Sequence, residues 1–222
     1  MMTGMTTAYC IFDMDGVLID SGAHHRHAWQ ALLAELGLEP AQPEYWRLTI
    51  GRPAEEAVPL LLGVPVTMVE TRRLALRKRE LYARFASRGT QAVPGIPTFV
   101  RSLVRQGVPR AVGTSASRCD VGALLESLDL LRHFEVIVTA EDVVLGKPDP
   151  AVYLEAARLL GAQPAACLVF EDSLVGVQAA RRAGMRAIGV TTAHTAAELC
   201  AAGAEAAVAD FEGLDWESLA RQ

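Results

Sequence analysis

Strand-length apolar runs alternating with longer amphipathic stretches are the feature that most limits what this chain can fold into. The runs are "AYCIFD" (8–13), "RAVGTS" (110–115), "EVIVTA" (135–140), "CLVFED" (167–172), "RAIGVTT" (186–192) and "AAVAD" (206–210). Between the later runs lie helical patterns such as "DPAVYLEAARLLG" and "SLVGVQAARRAGM", each carrying a glycine suited to close a helix. Continuous apolar strands are those of a parallel sheet covered on both faces, and parallel neighbours need crossover helices. The pattern predicts an α/β fold, a doubly wound, Rossmann-like parallel sheet. At 222 residues and 51% hydrophobic, the chain can bury such a core and carry one smaller inserted domain.

Residues 22–90 break the rhythm. They read as helix throughout: "HHRHAWQALLAELG", "PAEEAVPLLLG", and a segment from 65 to 87 rich in helix formers. Helices inserted after the first strand read as an all-helical cap over a catalytic core built from 1–21 and 91–222. Hinges are expected near Ser21 and Gln91.

Charge and cysteine usage exclude several classes. A net charge of −5 leaves no nucleic-acid footprint, and the basic cluster "RRLALRKRELYAR" (72–84) is spread around a helix. Four cysteines without CxxC spacing indicate neither a disulfide framework nor a zinc site, so they read as reduced core fillers. "MMTGMTTAY" lacks a basic n-region, and no stretch is long and apolar enough to span a bilayer. The expectation is a cytoplasmic enzyme with a small-molecule partner and no nucleic-acid or membrane partner. Nothing in the pattern fixes an oligomeric state.

In open α/β sheets ligands bind beyond the carboxyl ends of the strands, so residues that end different strands meet in one crevice. Asp13 and Asp15 end the first run, Thr114 and Ser115 the second, and Glu171 and Asp172 the fourth, while Lys147 follows the third in "VVLGKPDP". Several carboxylates at one place repel one another unless a cation sits among them. With no cysteine or histidine beside them, a hard divalent ion is indicated, and Mg²⁺ with carboxylates, waters and a substrate phosphate fits. Asp13 and Asp172 are the expected side-chain ligands, with Glu171 either a further ligand or a partner behind them. An EF-hand is excluded, because its glycine belongs at loop position six and Gly16 falls at position four counted from Asp13.

"DMDGV", "GTS", "GKPDP" and "FEDSLVGVQAARRAG", in that order and with a helical insert after the first, resemble the four motifs of the haloacid dehalogenase superfamily. The resemblance spans essentially the whole chain and points to the phosphatase and phosphomutase branch with a helical cap. It implies Asp13 as the nucleophile, forming an aspartyl-phosphate, and Asp15 as the general acid/base, with its backbone carbonyl on the Mg²⁺. Thr114, or alternatively Ser115, and Lys147 would hold the transferring phosphoryl oxygens. Members that cleave carbon–halogen bonds lack an aspartate at the position of Asp15, which directs the expectation to phosphoryl transfer.

The cap decides the substrate. "DSGAHHRHAWQALLAELG" (20–37) resembles the cap entry of the β-phosphoglucomutases, placing His25 near substrate or near proton traffic at Asp15. "HHRH" itself reads as a solvated face or hinge rather than a metal site, because its side chains point around a helix. In "IGRPAEEAV" the mutases carry an arginine where Ala54 stands, and Arg52 is left as a candidate contact to substrate. The expected function is Mg²⁺-dependent hydrolysis of a small phosphorylated metabolite, a sugar phosphate, with a β-phosphoglucomutase-like phosphomutase as the alternative. A non-catalytic binding module would lack the nucleophile or the acid, and both are present.

Overall fold

The computed structural model describes residues 8–39 and 44–221, so residues 1–7, on which part of the leader argument rests, lie outside the described residues. Six parallel strands, β1 (Tyr9–Phe12), β4 (Arg110–Gly113), β5 (Val136–Val138), β6 (Cys167–Glu171), β7 (Arg186–Val190) and β8 (Ala206–Val208), form one sheet in the order β5-β4-β1-β6-β7-β8. The chain winds outward from β1 to β5 and then restarts beside β1 with β6. That reversal opens a crevice at the ends of β1, β4 and β6.

The two-residue side-chain period sorts each strand into two cores. Cys10 and Phe12 of β1, with Leu168 and Phe170 of β6, face α4 (Ile96–Arg105), α5 (Arg118–Ser127) and α9 (Trp216–Ala220). Phe12 stacks on Phe170 at 5.3 Å between ring centroids, and Phe211 closes on Phe170 at 5.0 Å. Ile11, Cys167 and Val169 face the other way, onto α6 (Ala151–Leu160), α7 (Leu174–Arg182) and α8 (Ala196–Ala202). Cys10 and Cys167 are buried as expected. Cys119 and Cys200 are exposed, a correction to the reading of all four as core fillers. Their helices turn Val121, Leu125 and Leu199 inward and leave these two thiols on the outer face.

The insert is helical: α1 (Gly22–Glu35), a 3-10 turn (Tyr45–Thr49), α2 (Ala54–Leu62) and α3 (Met68–Ala86). It carries its own core of Trp29, Leu32, Leu33, Tyr45, Val58, Leu74, Leu81 and Tyr82. α3 starts where Thr67 caps it, its hydroxyl accepting the Glu70 amide at 3.2 Å. Where the chain leaves and re-enters the core, β2 (Ile19–Asp20) and β3 (Gln91–Ala92) pair antiparallel, a two-stranded link too short to show in the sequence pattern. No helix among the described residues is long and apolar enough to cross a membrane.

Candidate active site

Strand register delivers the site. Phe12 lies level with Val112 and with Phe170, so the residues after β1, β4 and β6 emerge side by side. Asp13 follows β1 and its amide donates to the Phe170 carbonyl (3.0 Å), while the Thr114 amide, just after β4, donates to Val138 (3.0 Å). Asp13, Asp15, Thr114, Ser115, Lys147 and Asp172 from the core, with His25 and Arg52 from the insert, line one cavity of about 760 Å³. Glu171 does not line it; strand parity turns this side chain toward α6, beneath the floor.

Asp13, Lys147, Glu171 and Asp172 are all 4% exposed or less. Lys147 Nζ lies 2.9 Å from Asp13 Oδ1 and 2.5 Å from Glu171 Oε1. Glu171 is saturated: Oε1 also accepts from the Tyr153 hydroxyl (2.8 Å), and Oε2 accepts from the Ser173 amide (2.7 Å) and hydroxyl (2.9 Å). It fits this tightly because position 176 is glycine, where a Cβ would stand 1.7 Å from Glu171 Oε1. One ammonium serves three buried carboxylates, and the deficit shows in the titration of Asp13 and Asp172. Burial, opposed by Lys147 and reinforced by Glu171 and Asp15, pushes Asp13 up to about 7. Burial, with Glu171 and Asp13 alongside, carries Asp172 well above the usual carboxylate range. Burial works against the Lys147 charge, but Asp13 and Glu171 overcome it and raise that pKa.

The donor set fits a hard divalent cation. Oxygens of Asp13, Glu171 and Asp172 lie within 4.8 Å of one another, and Asp13 Oδ1 is buried without a well-aligned hydrogen bond despite its nearness to Lys147. Among the described residues no backbone amide donates to the Asp15 carbonyl. Gly16 must be glycine here: its φ is +74°, and a Cβ would meet Asp172 Oδ2 at 2.0 Å. Thr192 ties the same corner, donating to the Gly16 carbonyl at 2.6 Å with its oxygen 3.4 Å from Asp172 Oδ2.

Asp15 sits in a different electrostatic setting. Ser21 donates to its Oδ1 at 2.5 Å instead of capping α1, and His25 Nε2 lies 3.0 Å from the same oxygen. Lys78 Nζ is 2.7 Å from His25 Nδ1; an ammonium can only donate, which puts the imidazole proton on Nε2, facing Asp15. Burial favours a neutral Asp15, yet His25, Ser21 and Lys78 together bring it down to about 2. Burial and Lys78 in turn lower the His25 pKa, against the opposing pull of Asp15.

The two candidate hydroxyls differ in what they do. Thr114 Oγ1 accepts from the Ala116 amide at 3.1 Å, leaving its own proton to give. Ser115 Oγ gives its proton to the Gly51 carbonyl of the insert at 3.0 Å. That bond, the His25 contact to Asp15, and ion pairs from Arg47 to Glu198 (2.7 Å) and from Arg79 to Asp120 (3.0 Å) and Glu141 (4.0 Å) hold the insert down on the core. Arg52 carries no side-chain hydrogen bond or ion pair among the described residues, although it lines the cavity.

Lys78 escaped the sequence reading, which assigned it to a basic cluster around a helix. It is 8% exposed, with Nζ 5.1 Å from both the Trp29 and Tyr82 ring centroids. A signal was present: Lys78 falls in the buried α3 stripe Thr71, Leu74, Ala75, Lys78, Leu81, Tyr82, where helical spacing calls for an apolar residue. In sequence the HHRH run reads as a hinge or solvated face, with His25 singled out as near Asp15; the His25 ring is packed on Tyr82 at 4.3 Å and its Nε2 lies 3.0 Å from Asp15 Oδ1.

The carboxylate cluster, whose donors fit a hard cation, thus lies at the switch point of a doubly wound sheet beneath a helical insert. The family model for haloacid dehalogenase-like hydrolases matches residues 7–184, and the chain belongs to that family. It is 34% identical over 219 residues to validoxylamine A 7'-phosphate phosphatase of Streptomyces hygroscopicus subsp. limoneus, covering 93% of this chain and 95% of that one. Fructose-1-phosphate phosphatase YqaB of Escherichia coli (strain K12) is 33% identical over 180 residues, 81% of this chain and 94% of its own. The crystal structure of β-phosphoglucomutase from Clostridium difficile shares the fold with a TM-score of 0.86 at 23% identity, covering 96% of each chain. The chain is thus an enzyme of the haloacid dehalogenase-like phosphatase and phosphomutase group.

Proposed function

We propose that this enzyme hydrolyses a small phosphorylated metabolite, a sugar phosphate, through an aspartyl-phosphate on Asp13, with Mg²⁺ as cofactor. The observation that carries the reading is the buried Asp13 Oδ1, short of a hydrogen bond and set between Lys147 and the cavity. Two relatives act, by their names, on validoxylamine A 7'-phosphate and on fructose 1-phosphate, which supports a small phosphate ester.

Asp13 Oδ attacks phosphorus in line, forming a carboxylate O–P bond as the bond to the substrate oxygen breaks, and Asp15 gives the leaving alkoxide its proton. Asp15 is anionic in the free enzyme, poised as the base of the second half-reaction. An arriving phosphate group adds negative charge beside it and favours the protonated form needed for the first. In the second half Asp15 takes a proton from water, which attacks the phosphoaspartate and releases phosphate. Thr114 donates its free hydroxyl proton to a phosphoryl oxygen, Ser115 holds the cap loop, and Lys147 offsets charge on Asp13 and the phosphoryl group. Asp13, Asp172 and the Asp15 carbonyl would hold the Mg²⁺, with Glu171 orienting Lys147 from below. When bound, the ion neutralises phosphoryl oxygens as charge develops on them.

The cap, residues 22–90, would swing on the β2–β3 link between core segments 1–21 and 91–222, excluding water when shut. Arg52 would contact polar groups of the substrate beyond its phosphoryl, with His25 shielding Asp15. A phosphomutase would pass the phosphoryl group from Asp13 to a second sugar hydroxyl rather than to water. Ala54, standing where the mutases have arginine, argues for water.

Mg²⁺ affinity follows from the titration of the cluster. With Asp13 at about 7 and Asp172 raised, the metal-free site holds protons below neutrality that the ion must displace. Affinity is expected to weaken as pH falls, by about tenfold per pH unit below 7 for one displaced proton. Calorimetric titrations from pH 6 to 8, in buffers of different ionisation heat, read both the affinity and the protons released. A pH-independent affinity would remove these carboxylates as ligands.

A further inference from the structure

Glu171, Lys147 and Tyr153 form one buried unit, of which only Lys147 faces the cavity. Tyr153, on the first turn of α6, is fully buried, and its hydroxyl donates to Glu171 Oε1 at 2.8 Å. Lys147 Nζ lies over the same ring, 4.9 Å from its centroid, and reaches the same Oε1 at 2.5 Å. One tyrosine therefore touches both members of the pair that supports Asp13: its ring carries the ammonium, and its hydroxyl shares the carboxylate oxygen that holds it.

A purely packing role would assign the side chain to the layer between sheet and α6, where Phe would serve as well. The hydroxyl distinguishes the two readings. A buried phenol needs an acceptor, and many backbone carbonyls could supply one. Here the acceptor is the carboxylate that also binds Lys147. Glu171 Oε2 is fixed by Ser173, while among the described residues Oε1 accepts from Tyr153 and Lys147.

We infer that Tyr153 is a positioning residue for phosphoryl transfer: hydroxyl and ring together aim the Lys147 ammonium at Asp13 and the phosphoryl group. Without the hydroxyl, Lys147 is the one remaining donor to Oε1 among the described residues, and the loosened carboxylate shifts with the ammonium already bound to it, away from Asp13. The loss falls on the transition state, where charge on the transferring group must be met, and little on substrate binding.

The inference rests on the phosphatase reading, and the test separates the two. The Mg²⁺-loaded full chain is compared with Tyr153→Phe and Tyr153→Leu on the ester that the parent hydrolyses fastest, with urea unfolding in parallel and a crystal structure of the Phe variant. Tyr153→Phe is expected to lower kcat by about 10-fold or more with KM within about twofold, and Tyr153→Leu to lower it further. In the Phe variant the Lys147 Nζ to Asp13 Oδ1 distance should lengthen from 2.9 Å to beyond about 3.5 Å. Unchanged kcat per folded molecule with an unchanged distance would overturn the inference. If the parent releases no phosphate from any ester, the phosphatase reading fails, and the Lys147 displacement alone decides the positioning role.

Discussion

Asp13→Asn is expected to lower turnover by about four orders of magnitude or more while leaving a folded chain. The amide is nearly isosteric but carries no charge to attack phosphorus, so no phosphoenzyme forms. Its effect on stability runs the other way. The folded-state pKa of Asp13 is raised to about 7 from 3.8, so the ionised side chain works against folding, and stability falls as pH climbs from about 4 through 7. Asparagine removes that loss. Metal-free Asp13→Asn should therefore unfold no earlier than the parent at pH 8, and Mg²⁺ should stabilise it less. Urea melts with and without Mg²⁺, beside turnover, check both. Turnover near the parent level would remove Asp13 as nucleophile.

Lys147→Ala carries the largest expected cost to the fold. Lys147 is the ammonium paired with Asp13 and Glu171, and its side chain is 1% exposed. Removing one partner of a buried ion pair leaves uncompensated charge, at about 3–5 kcal/mol. Turnover should fall too, because nothing then offsets the charge on Asp13 during attack. Added Mg²⁺ should raise the unfolding midpoint of this variant by more than it raises the parent's, since the ion becomes the site's sole compensating charge. Equal Mg²⁺ responses in the two proteins would mean that the ion binds elsewhere. Lys147→Arg should not rescue, because a planar guanidinium cannot reproduce the single ammonium that meets Asp13, Glu171 and the Tyr153 ring at once.

Features carried by continuous stretches were legible in the sequence. The six sheet strands, the helical insert, and the strand-end placement of Asp13, Thr114 and Asp172 follow from apolar runs whose polar termini must meet where the sheet reverses. Contacts that depend on packing between distant segments were not. Lys78 and His25 are 53 residues apart, and nothing local says that the lysine turns inward among aromatic rings. Tyr153 reads as one more apolar residue of α6, because its acceptor lies on another element. β2 and β3, two residues each and separated by the whole insert, are below the length at which alternation carries information. Glu171 was left open between ligand and partner because adjacent residues on a strand face opposite ways, and which way each faces depends on register.

The most direct test is inorganic phosphate release from a panel of phosphorylated metabolites, run with Mg²⁺ and with Mg²⁺ chelated. The panel includes β-glucose 1-phosphate with glucose 1,6-bisphosphate, and glucose 6-phosphate is followed alongside. Mg²⁺-dependent phosphate release from a subset of sugar phosphates is the expected result. Glucose 6-phosphate accumulating without phosphate release would contradict it, and would mean that Ala54 does not exclude the mutase reaction.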